Sequence, residues 1–100
     1  MEDFFAPPAF KPDEALLALR RQLRESRSLS ERGDPQQPRF EWRGLPAVEL
    51  RADAGVLFAR WVDKPLRCAT WKEKRLTSSA DVRGFAEEVK RCLRLWDDED

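Results

Sequence analysis

From Val82 to Trp96, apolar side chains recur at helical spacing. Val82, Phe85, Ala86, Val89, Cys92, Leu93 and Trp96 keep an i, i+3, i+4, i+7 rhythm, an apolar arc of roughly 120° over about four turns. A helix with one apolar face is stable only where another layer covers it, so the rest of the chain must supply a floor. Ser78-x-x-Asp81 precedes the run and resembles a capping box closed by aspartate. Glu87 and Arg91 stand i, i+4 apart, the spacing of a helical ion pair. Asp97, Asp98, Glu99 and Asp100 follow, where the helix dipole disfavours acids, and are expected to fray as an acidic tail over 97–100.

A second helix is expected from Asp13 to about Ser28. Pro12 suits its first turn, and Asp13 and Glu14 favour its positive end. Leu16, Leu19 and Leu23 form one stripe, with Ala15 and Ser26 beside it, while Arg20, Arg24 and Arg27 form another along its edge. Ahead of it, Pro7, Pro8 and Pro12 make residues 1–12 an extended arm. Behind it, Gly33, Asp34-Pro35 and Pro38 read as a flexible polar loop over 28–38.

The floor lies between these helices. Arg39 to Arg43 reads as a short strand, closed by Gly44 and Pro46. Ala47 to Ala52 alternates, with Val48, Leu50 and Ala52 on one side and Glu49 and Arg51 on the other. Val56 to Val62 and Leu66 to Lys72 are strand-like, separated by Asp63-Lys64-Pro65. The expected fold class is α+β, a two-layer sandwich in the order helix, three- or four-stranded antiparallel meander, helix. Both helices lie on one sheet face, in a single domain over 13–96.

The last hairpin raises the sharpest question. A three-residue loop at 63–65 puts Leu57, Ala59, Trp61, Arg67, Ala69 and Trp71 on one face, and Phe58, Arg60, Val62, Leu66, Cys68 and Thr70 on the other. Neither face is polar, and the helices need only one. The second set, joined by Val48 and Leu50, is taken as the floor. Trp61, Arg67 and Trp71 then form an apolar patch that the arm from Phe4 to Phe10 covers or that a partner meets.

Composition removes several chemistries. The chain has no histidine and no tyrosine, so it lacks the commonest metal ligand and the commonest general base near neutral pH. Cys68 and Cys92 fit neither a disulfide framework nor zinc-ligand spacing and read as small hydrophobes. Glu41, Glu49 and Asp63 are scattered carboxylates, and no phosphate-binding or metal-binding loop is present. No catalytic residue, cofactor or metal is assigned. No apolar run approaches the roughly 18 residues of a membrane span, and the first ten residues lack the pattern of a signal peptide. Arginine outnumbers lysine 14 to 5. The expected setting is a bacterial cytoplasm.

The first functional expectation is a small non-catalytic protein-interaction domain, self-associating or meeting another protein through the Trp61–Arg67–Trp71 face. The alternative is nucleic-acid binding. Net charge is zero, but residues 39–75 carry 9 basic against 5 acidic side chains. The order helix, strands, helix is also similar to that of the double-stranded-RNA-binding domain. That resemblance implies phosphate contacts from Arg20, Arg24 and Arg27, with Arg67, Lys72, Lys74 and Arg75 on the strands. The family's lysine cluster at the start of the last helix is replaced here by Thr77-Ser78-Ser79-Ala80-Asp81. Single-strand stacking on Trp61 and Trp71 is a variant of the same reading.

Overall fold

The computed structural model describes residues 10–66 and 68–98. Helix α1 spans Pro12–Arg24, strands β1 to β5 span Leu29–Asp34, Gln37–Trp42, Leu45–Asp53, Val56–Val62 and Trp71–Leu76, and helix α2 spans Ser79–Asp98. The strands form one antiparallel sheet in the order β1-β2-β3-β4-β5. Both helices cover one face of it, so the expected α+β two-layer architecture is present, with five strands in place of three or four.

The core is the inner face of the sheet against the two apolar helix stripes. Leu16, Leu19 and Leu23 of α1 and Phe85, Val89, Cys92, Leu93 and Trp96 of α2 meet Phe40, Val48, Leu50, Leu57, Ala59, Trp61 and Leu76. Ser78 Oγ accepts the Asp81 backbone N–H at 3.1 Å, and Asp81 Oδ2 accepts the Thr77 N–H at 3.0 Å. The expected capping box therefore exists, with its returning bond one residue outward, at Thr77 instead of Ser78.

Two tight turns set the middle of the sheet. Arg43 and Gly44 (φ 53° and 82°) join β2 to β3, and Ala54 and Gly55 (φ 50° and 77°) join β3 to β4. Positive φ at both central residues is the hairpin turn whose twist matches the strands. Between the facing pairs Phe40–Val48 and Glu41–Pro46, Ala47 is left over as a bulge in β3.

Four expectations are corrected. The 28–38 segment is mostly a hairpin, since β1 pairs with β2 from Leu29–Trp42 to Asp34–Gln37. Its alternation is hidden because Glu31, opposite Phe40, faces inward as a carboxylate held by α1. The last hairpin has no three-residue loop: Val62 pairs with Trp71, so residues 63–70 connect the strands and β5 starts later than expected. Asp97 lies within α2 and is not part of a separate tail. It accepts hydrogen bonds from Trp42 Nε1 at 3.0 Å and Ser28 Oγ at 2.9 Å, contacts that offset the dipole penalty. Finally, the helices sit on Leu57, Ala59 and Trp61, the set not taken as the floor.

Of the expected arm, residues 1–9 lie outside the described residues; Phe10 packs against the core and Pro12 opens α1. Glu99 and Asp100 of the expected tail also lie outside them.

Candidate protein-interaction surface

The tryptophans taken together in the sequence point to opposite faces of the sheet. Trp61 is 9% exposed and stands edge-on to Phe85 of α2, with ring centroids 5.3 Å apart. Its Nε1–H is buried and has no hydrogen-bond partner among the described residues. Trp71 is half-buried on the other side, under the Arg60 guanidinium, which lies 4.8 Å from its ring centroid. Arg67 lies outside the described residues. Trp61 and Trp71 therefore do not share a face: β5 pairs Trp71 with Val62 and Lys72 with Trp61, and side chains alternate along each strand.

The outer face, away from the helices, carries a different set. Arg32 pairs with Arg39, Arg39 with Glu49, Glu49 with Arg60 and Arg60 with Glu73, so one charged row crosses all five strands. Arg60 Nη1 donates to Glu49 Oε1 at 3.1 Å in the middle of that row, and Arg32 Nε stands 3.6 Å from Glu41. Arg39 and Glu73, on either side of the central pair, have no ion-pair partner among the described residues. In the next row Phe58 lies between Arg51 and Arg75, whose guanidiniums sit 4.6 and 5.5 Å from its centroid. Stacking of this kind keeps the cationic groups solvated while shielding the ring. A hollow of about 560 Å³ opens here, lined by residues that include Arg39, Glu49, Arg51, Phe58, Arg60 and Glu73.

Charge on this face balances. Arg32, Arg39, Arg51, Arg60 and Arg75 are matched in number by Asp34, Glu41, Glu49, Asp53 and Glu73. The edge strands are guarded: β5 carries Lys72 and Lys74 on its inner side, and β1 carries Arg32 and Asp34, which discourages strand addition.

The three arginines expected on phosphate are placed differently. Arg20 Nε donates to Glu31 Oε2 at 2.7 Å and Arg24 Nη2 to Glu31 Oε1 at 2.5 Å. Glu31 is consequently held below the usual carboxylate range, chiefly by the Arg20 hydrogen bond. Arg27 is exposed in the turn after α1. Cys68 is exposed and Cys92 buried, so the two thiols do not meet in the core; burial pushes the Cys92 thiol up. Among the described residues no cluster of histidine, cysteine, aspartate or glutamate is suited to a metal ion. None of their helices is long and apolar enough to cross a membrane. Sequence reasoning missed Arg39, Arg60, Glu73 and Phe58 as neighbours. The alternation of Glu49 and Arg51 against Val48 and Leu50 was the available signal, but which residues flank them depends on register.

No protein-family model, curated protein or solved structure matches the chain.

Proposed function

We propose that this chain is a small non-catalytic domain that binds another protein through the outer face of its sheet. The observation that carries this reading is the Phe58 and Trp71 pair, half-buried under stacked arginines on a face no helix covers. Arginine and aromatic residues are the types concentrated at binding hot spots. Balanced charge supports a protein partner over a polyanion, because phosphate binding needs an excess of uncompensated basic groups. Arg20 and Arg24, already bonded to Glu31, add little to the nucleic-acid alternative. The excess of arginine over lysine supports a bacterial setting.

The test uses wild type and Phe58→Asp as immobilised baits in the lysate of the source organism, with Arg83→Glu on α2 as a surface control. A partner retained by wild type and R83E but lost with F58D supports the reading. Retention by all three sinks it. In parallel, tryptophan fluorescence is titrated with single-stranded DNA and duplex RNA at two salt concentrations. Quenching that weakens with salt would favour nucleic acid instead.

A further inference from the structure

The charged row on the outer face gives the docking surface a polarity. Arg39 on β2 and Glu73 on β5 are the two members without an ion-pair partner among the described residues, and between them Glu49 and Arg60 neutralise each other at 3.1 Å. Strands lie about 4.8 Å apart, so three spacings separate the two ends by roughly 14 Å. An extended chain advances about 3.3 Å per residue and returns to the same face every second residue, so residues i and i+4 stand about 13 Å apart on one face. The two repeats nearly coincide. A helix covers the same span in about nine residues, and its alternate side chains turn away from the sheet.

We infer that the outer face receives an extended segment of another protein, crossing β2 to β5, with an acidic residue on Arg39 and a basic residue four positions away on Glu73. The residue between them, at i+2, stands over the Glu49–Arg60 pair, in the hollow that Phe58 also borders. This inference rests on the protein-binding reading and gives that partner its chemistry. Recognition of this kind fixes register and orientation more than raw affinity.

The probe is the synthetic peptide acetyl-T-E-T-V-T-K-T-amide, titrated into isotope-labelled full-length protein while backbone amide shifts are followed. Expected are saturable shifts across β2 to β5, centred on Glu49, Phe58 and Arg60. The comparison peptide acetyl-T-E-T-V-K-T-T-amide puts its charges on opposite faces and should bind about tenfold more weakly or not at all. Arg39→Glu and Glu73→Arg should each weaken the first peptide by a similar factor. The double variant R39E/E73R should recover it, because an extended peptide can cross the row in the opposite direction. Recovery is a readout that misfolding cannot produce, and thermal melts of all three variants confirm the fold. No shifts on the outer face, equal binding of both peptides, or no recovery in the double variant would each overturn the inference. A partner lost with F58D in the capture experiment would then still stand, so the two failures are separable.

Discussion

Arg20 and Glu31 join the first helix to the edge of the sheet, Nε to Oε2, at 2.7 Å. The two side chains are only 14% and 17% exposed, and Arg24 approaches the same carboxylate at 2.5 Å from a more solvated position. An inward-facing acid on an edge strand is costly without such partners and blunts the edge with them. The group imagined on a phosphate is thus part of the scaffold.

Glu31→Ala should cost about 1–2 kcal/mol, the range of a charge-assisted hydrogen bond at a partly exposed site after allowance for screening of Arg24. Denaturant titration gives the value. Loss of less than about 0.3 kcal/mol would mean that the pair is held by packing around it.

Stability should fall in acid. Glu31, Asp63 and Asp81 all have depressed folded-state pKa values: Glu31 through the Arg20 hydrogen bond, Asp63 through Lys72, and Asp81 through the Thr77 backbone N–H. A depressed carboxylate stabilises the fold above its unfolded value, near 4, and that contribution disappears as pH falls through the folded value. Melting temperatures from pH 7 down to pH 3 should therefore decline below about pH 5. Glu31→Gln should flatten the decline, and an unchanged slope would assign it to other groups.

Trp61→Ala should cost about 3–5 kcal/mol, as expected for removing a large buried aromatic. Trp71→Ala, from a half-buried ring on the outer face, should cost about 1 kcal/mol or less. Iodide quenching of the two single-tryptophan deletions gives an independent ranking. Equal costs would contradict the opposed orientations of the two rings.

Ala54 adopts a φ of 50° without being glycine. Left-handed backbone costs an ordinary residue about 1–2 kcal/mol, and asparagine tolerates it better. Ala54→Asn should add about 0.5–1 kcal/mol, a rise of several degrees in melting temperature for a domain of this size. An unchanged or lower melting temperature would show that the turn is not strained.

Trp42→Phe keeps an aromatic ring against Trp96 but removes the Nε1–H bonded to Asp97. The last turn of α2 should then open about fivefold more often, equivalent to about 1 kcal/mol locally. Amide exchange at Leu93 to Asp98 reads this directly; unchanged exchange would place the anchor at Ser28 instead.

Local pattern alone was enough for α2, α1 and β3, and for the span of β4 but not its buried face. Val82 to Trp96 and Leu16 to Leu23 keep one period, and Val48 to Ala52 alternates cleanly, so each declares the face it buries. It failed at β1, where the inward position is Glu31 and the satisfying cations come from another element. It failed again between β4 and β5. Leu57 to Val62 is rich in apolar side chains on both sides, and no period-two pattern says which side the helices choose. Tertiary packing made that choice, seating Trp61 against Phe85 and leaving Phe58 and Arg60 outside. The row from Arg32 to Glu73 exists only once four separate pairings are in register, because neighbours across strands are set by turns and bulges and not by spacing along the chain.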